Sequence, residues 1–268
     1  MTDPTTAPTA PAAAAGEGAA PAVSSAGERI EIRGSVDLPA RREDVVLRTD
    51  DGLELVGELA LPASAAPVGT LLFLHPLPTA GGFMDSHIVR KASGRLPALA
   101  DLAVLRFNFR GVSSPRGTSQ GSFGDGVDER HDLAAALRLV AGRGLPTPWL
   151  VGWSFGTEVL LKHGRDADIA GAILLSPPLH RTSDAELARW RDFPHPLVAL
   201  VPEHDDFLGP AEAAGRFAIV PNLELVAVEA AKHLWVGEKQ TSRVLSEIVQ
   251  RVNPAALPLP TEWPPAAA

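Results

Sequence analysis

The chain has 268 residues, 45% hydrophobic and 21% charged, a composition that fits a globular protein and excludes wholesale disorder or a collagen-like repeat. Its net charge of −8 argues against a nucleic-acid partner, since no stretch gathers basic residues into a face that would hold phosphates. It has no cysteine, which removes disulfides, thiolate metal sites and cysteine nucleophiles, and no run of the roughly 20 apolar residues that a membrane helix needs.

Residues 1–27 are mostly Ala, Pro and Thr and bury too little apolar surface to offset about 1–2 kcal/mol of backbone entropy per residue. Lacking the basic start and hydrophobic centre of a secretory signal, they read as a disordered tail on a cytoplasmic protein. Residues 28–253 read as one α/β domain, and residues 254–268 as a second, Pro-rich tail with Trp263 available to pin it. Within the domain, Val45 to Arg48 and Leu53 to Leu61 flank Asp50-Asp51-Gly52, the signature of a hairpin.

Apolar runs then alternate with helical patterns. Thr70 to Leu74 reads as a strand, and Ile88, Val89, Ala92, Leu96 and Leu99 mark a helix face. Leu102 to Phe107 is the next strand, and Leu133, Leu137 and Val140 a helix. Trp149 to Val151 is a strand, Val159 to Lys162 helix, and Ala172 to Leu175 a strand. Pro196 to Val201 and Leu223 to Val228 are strands, and Val244, Leu245, Ile248, Val249 and Val252 close with a helix. Continuous apolar strands separated by amphipathic helices predict a mostly parallel, doubly wound α/β sheet with helices on both faces and an N-terminal antiparallel hairpin.

Ligands of such sheets collect at the carboxyl ends of the strands, so the residues that follow each run carry the functional argument. Gly152-Trp153-Ser154-Phe155-Gly156 fits G-x-S-x-G between a strand and a helix, the setting of a nucleophile elbow with Ser154 at its tip. A serine hydroxyl needs an imidazole to take its proton and a carboxylate to orient that imidazole, in the chain order Ser, Asp or Glu, His. Two later strands end near Glu203-His204-Asp205-Asp206 and Lys232-His233, so His233 is the candidate base and Asp205 the favoured acid, with Asp206 the alternative. All three acids, Glu203, Asp205 and Asp206, are expected in a loop, and His163, His180, His195 and His204 are assigned no role.

Acyl transfer also needs two amides for the developing oxyanion. One is the N–H of Phe155, next to the nucleophile; the other comes from His75-Pro76-Leu77-Pro78, where the prolines have no N–H and Leu77 is left as donor. His75, at a strand end before two prolines, is expected to orient this loop. Arg110 either pairs with an acid to stiffen its loop or recognises a substrate carboxylate; Phe83, Trp153, Phe207 and Trp235 either wall the pocket or pack in the core.

Taken together, these residues resemble the serine α/β-hydrolase superfamily, and within it a lidless bacterial group of predicted hydrolases similar to dienelactone-hydrolase-type esterases. The likeness rests on His75-Pro76-Leu77-Pro78, Gly81-Gly82-Phe83-Met84-Asp85, Arg106 to Gly111, the elbow and His233-Leu234-Trp235-Val236-Gly237, and spans roughly Leu71 to Gly237. It implies nucleophile Ser154, acid Asp205 and base His233. The chain departs from the group at Leu77, where a second polar residue is common, and at Pro202, where a glycine usually precedes the acid loop.

Pro177 and Pro196 are separated by only about 18 residues, room for one short helix around Ala185 to Arg191 and for no cap domain. An open site predicts a small or water-soluble acyl substrate, with water as the second reactant. No lysine falls between Lys91 and Lys162, which excludes a Walker-type reading of the glycines in Gly111 to Gly126; a flexible connection is expected there. Glu203, His204 and Asp206 lack metal-ligand spacing, so neither metal nor cofactor is expected. The competing functions are a catalytically silent binding protein on the same fold and an acyltransferase using the same three residues.

Overall fold

The computed structural model describes residues 29–264. The proposed tail of residues 1–27 lies outside them. In chain order the elements are β1 (Ile30–Glu31), β2 (Ala40–Arg48), β3 (Glu54–Pro62), β4 (Gly69–Leu74), α1 (His87–Ala100), β5 (Leu102–Phe107), β6 (Ser113–Ser114), β7 (Gly117–Thr118) and α2 (Glu129–Gly142). They continue with β8 (Pro148–Trp153), α3 (Phe155–His163), β9 (Gly171–Leu175), α4 (Asp184–Ala188), β10 (Leu197–His204), α5 (Pro210–Phe217), β11 (Leu223–Lys232), α6 (Glu238–Val252) and β12 (Glu262–Trp263).

The main sheet has eight strands in the order β11-β10-β9-β8-β4-β5-β3-β2. Pairings from β11 through β5 are parallel, and β3 pairs antiparallel with both β5 and β2, the predicted hairpin. Every residue of β4, β5, β8 and β9 is buried, which accounts for their unbroken apolar runs. Alternate residues serve opposite faces: Leu72 and Leu74 of β4 join one core with Leu133, Val159 and Leu160. Leu71 and Phe73 join the other, under Ile88, Val89 and Leu96 of α1 and Val244, Leu245, Ile248 and Val249 of α6.

The chain runs from β4 outward to β5 and then returns to place β8 on the other side of β4. That reversal opens a crevice at the carboxyl ends of β4 and β8, where a doubly wound sheet collects its ligand. Between β9 and β10 lies only the short α4, whose N-terminus is closed by a capping box in which Ser183 and Glu186 satisfy each other's backbone N–H groups; among the described residues no cap domain covers the crevice. No described helix is long and apolar enough to cross a membrane.

The structure departs from the sequence reading in several places. Strands β10 and β11 run on together, with a bulge between Pro202 and His204, so Glu203 and His204 lie in β10 rather than in a loop. Cross-strand pairing supplies the hydrogen bonds that these polar residues' own strand propensity does not announce. Helix α5 has no counterpart in the sequence reading, because of its 8 residues only Ala213 and Phe217 are buried, too few to mark an apolar face. The glycine-rich stretch after Arg110 is no loose connection: β6 and β7 pair within it, and Glu129 accepts the N–H groups of Gly124 and Gly126. Beyond Val252 the chain forms a short 3-10 turn, and β12 pairs antiparallel with β1.

Candidate active site

Ser154 sits between the last residue of β8 and the first of α3 with φ 52° and ψ −117°, a conformation that side-chain-bearing residues rarely adopt. Both flanking glycines are sterically required. A Cβ at Gly152 would stand 2.6 Å from the Gly156 carbonyl oxygen, and one at Gly156 would stand 2.0 Å from the Leu74 oxygen. The turn is held by Ser154 N–H donating to Leu175 O at 2.9 Å and by the Thr157 hydroxyl donating to Ser154 O at 2.6 Å.

His233 follows β11, and its Nε2 lies 2.9 Å from Ser154 Oγ. Its Nδ1 lies 3.0 and 2.9 Å from the two carboxylate oxygens of Asp205, just past β10. A carboxylate only accepts, so Nδ1 carries the proton and Nε2 is left to accept from the serine hydroxyl. The side chains of Asp205 and His233 are 2% and 7% exposed. Burial of Asp205 opposes its charge, but the His233 hydrogen bond and the N–H groups of Phe207 and Leu208 outweigh it and hold the carboxyl below its usual range. Asp206, the alternative acid, is exposed, and it is Asp205 that faces the imidazole.

The backbone that carries the imidazole is held from behind. The His233 carbonyl accepts from the Trp153 indole at 3.2 Å and from the Ser176 hydroxyl at 3.0 Å, and the Leu234 carbonyl accepts from His87 Nε2 at 2.5 Å. Trp235, fully buried at φ 53°, turns the backbone by donating its N–H to Lys232 O. Trp153 and Trp235 are therefore anchors of the His233 segment rather than exposed pocket walls. Phe207 is half-exposed, with its ring centroid 4.5 Å from that of His233. Phe83 lines a cavity of about 250 Å³ beside the Leu77 loop, together with Pro78, Gly82, Val112 and Phe123.

Across the crevice, Leu77 and Phe155 lie at the carboxyl ends of β4 and β8, and among the described residues neither N–H donates to a protein acceptor. His75 is fully buried; its Nδ1 lies 2.7 Å from Pro76 O, and its Nε2 accepts from Phe109 N–H at 3.1 Å. Arg110 is spoken for: its backbone N–H and guanidinium bind Asp132, and the same guanidinium reaches Asp51. Of the two roles open to it, the geometry matches the structural one. No group of three or more His, Asp or Glu among the described residues is placed to hold a metal ion.

Sequence reasoning singled out neither His87 nor Glu158. Ser176 follows β9 at φ 49°, one of the strand-end residues that the sequence offers, but nothing in the sequence assigns it the His233 carbonyl as partner. Glu158, buried on α3, accepts from Arg181 N–H and ties the segment after β9 to the elbow helix.

No protein-family model matches the chain. An uncharacterized protein of Rickettsia prowazekii (strain Madrid E) is 31% identical over 148 residues, which is 53% of this chain and 58% of that protein. The chain thus spans little more than half the length of the curated relative it matches. Among solved structures, a lidless α/β serine hydrolase of Xanthomonas campestris superposes with a TM-score of 0.67 at 27% identity, covering 84% of this chain and 99% of that one. An α/β serine hydrolase homologue from Coxiella burnetii gives a TM-score of 0.67 at 25% identity, covering 78% and 96%. A Pyrococcus furiosus esterase, at 20% identity and a TM-score of 0.64, covers 80% of this chain and 93% of its own and shares the fold. In fold the chain is therefore similar to α/β serine hydrolases, one of them without a lid, the group that its sequence motifs resemble.

Proposed function

We propose that the protein is a serine hydrolase of small or soluble carboxylic esters, or related acyl compounds, with Ser154 as nucleophile, His233 as base and Asp205 as its orienting acid. The observation that carries the reading is the continuous chain of hydrogen bonds Ser154 Oγ, His233 Nε2, His233 Nδ1, Asp205, each link at 2.9–3.0 Å. The esterases and serine hydrolases among the structural neighbours support it.

In this reading Ser154 Oγ attacks the acyl carbon while its proton passes to His233 Nε2. The carbonyl oxygen gathers negative charge, which the N–H groups of Leu77 and Phe155 receive. Collapse expels the alcohol, which takes the proton from His233, and leaves an acyl-serine. Water then attacks the same carbon, gives a proton to His233 and releases the carboxylic acid, regenerating the hydroxyl. Asp205 remains ionised throughout, consistent with a carboxyl held below its usual range.

The test is labelling by a fluorophosphonate probe at neutral pH alongside hydrolysis of a short aryl ester. Ser154→Ala is expected to abolish labelling and lower turnover by about 10⁵- to 10⁶-fold with the fold retained. An undiminished rate ends the proposal. Labelling with slow hydrolysis that a nucleophilic acceptor accelerates would favour an acyltransferase.

A further inference from the structure

His75 is a positioning residue: we infer that its imidazole sets the plane of the Pro76–Leu77 peptide and thereby aims the Leu77 N–H into the crevice. The inference rests on the hydrolase reading above and adds to it the groups that make the Leu77 amide a donor.

The argument begins with the tautomer. A carbonyl oxygen only accepts, so the 2.7 Å contact between His75 Nδ1 and Pro76 O requires the proton on Nδ1. Nε2 must then be the acceptor, and it does accept, from Phe109 N–H at 3.1 Å. Both ring nitrogens are committed, the ring is buried, and its centroid lies 4.5 Å from that of Phe109. Such an imidazole has no lone pair for a substrate proton, which separates it from His233. Instead it bridges the ends of β4 and β5 and fixes one carbonyl.

That carbonyl belongs to the same planar unit as the Leu77 N–H. In a trans peptide, C=O and N–H point in opposite directions, so fixing Pro76 O toward His75 turns the Leu77 N–H away from it. The Pro76 oxygen is confined on another side by Gly82. A Cβ there would stand 2.2 Å from that oxygen, and the Gly82 N–H closes the loop by donating to Leu77 O at 2.9 Å. His75 and Gly82 therefore act on one atom from two directions. The prolines at 76 and 78 complete the arrangement, since neither offers a competing N–H.

The experiment compares wild type, His75→Leu, His75→Asn and Gly82→Ala, each checked by circular dichroism and thermal melting. Readouts are kcat and KM on a short aryl acetate, the pH profile, and inhibition by a trifluoromethyl ketone whose adduct places an oxyanion where Leu77 would bind it. His75→Leu is expected to lower kcat by about 10²-fold with KM little changed, the scale of losing one oxyanion donor. Ketone affinity should fall in parallel, while the pH profile keeps its shape because His233 is untouched. His75→Asn, whose amide nitrogen can stand where Nδ1 stood, should recover at least tenfold of that loss. Gly82→Ala should reproduce the kcat loss, and carries the test if His75→Leu does not fold. Folded variants that keep wild-type kcat and ketone affinity overturn the inference and leave the hydrolase reading standing. A wild-type protein inert to ester, ketone and fluorophosphonate overturns both.

Discussion

Two aspartates one residue apart differ in surroundings because one backbone turn sorts them. Asp205 turns inward, where the N–H groups of Phe207 and Leu208 donate to the same oxygen that faces His233. Asp206 faces solvent. Asp205→Asn is therefore expected to lower kcat by about 10⁴-fold, because an amide presents the wrong hydrogen-bonding partner to the imidazole. Asp206→Asn should leave turnover close to wild type. Steady-state kinetics on both variants check the assignment, and equal losses would refute it. A serine, an imidazole and a favoured carboxylate, Asp205, could be named from strand-end positions, but Asp206 stayed open beside it, since which neighbour turns inward depends on φ and ψ within one loop.

At the level of elements, the elbow works because β8, β4 and α3 meet more closely than any side chain allows. Gly156→Ala would drive a methyl group into the backbone of β4, only 2.0 Å from Leu74 O. It should cost at least about 1–3 kcal/mol, read as a lower urea midpoint. A second junction gathers around Glu58. Glu58 of β3 is completely buried and accepts from Arg106 Nε of β5 at 2.9 Å and from the Ser93 hydroxyl of α1 at 2.8 Å. Arg42 of β2 and Arg116 also reach it. Arg106 in turn reaches Asp85 and the Met84 carbonyl, so the network steadies the segment that follows the Leu77 loop. Glu58→Ala would strand these guanidinium groups and is expected to cost about 3–5 kcal/mol in chemical denaturation. Each partner looks like a surface charge in the sequence; only strand pairing brings them together.

For the molecule as a whole, burial of imidazoles couples stability to pH. His75, His87 and His163 are all pushed below their ordinary range of 6.5, mainly by desolvation, His75 to about 4. As pH falls below about 6.5 the unfolded chain takes up protons that these folded groups refuse, so stability falls with pH until the folded groups themselves titrate. Urea midpoints measured from pH 7.5 down to pH 4.5 should decline, and His75→Asn should make the decline shallower. The uncovered crevice carries a second expectation. With only α4 between β9 and β10, long acyl chains have little surface to bury against, and kcat/KM is expected to fall as the acyl chain lengthens beyond a few carbons.

Hydrophobic runs, glycines and prolines act locally, so the order of the main strands and of every longer helix but α5, the antiparallel hairpin, the short β9–β10 connection and the elbow were already written in the linear chain. Apolar side chains declare which segments are buried, and G-x-S-x-G declares a turn that other residues could not make. What required the tertiary structure was every decision made between segments distant in sequence. These include the strand pairing that carries β10 and β11 on to His204 and Lys232, the turn that brings Asp205 rather than Asp206 against His233, and the tethering of the His233 carbonyl by Trp153 and Ser176. Hydrogen bonds are directional and short-ranged, so which donor meets which acceptor is decided only after packing has set the backbones a few ångströms apart.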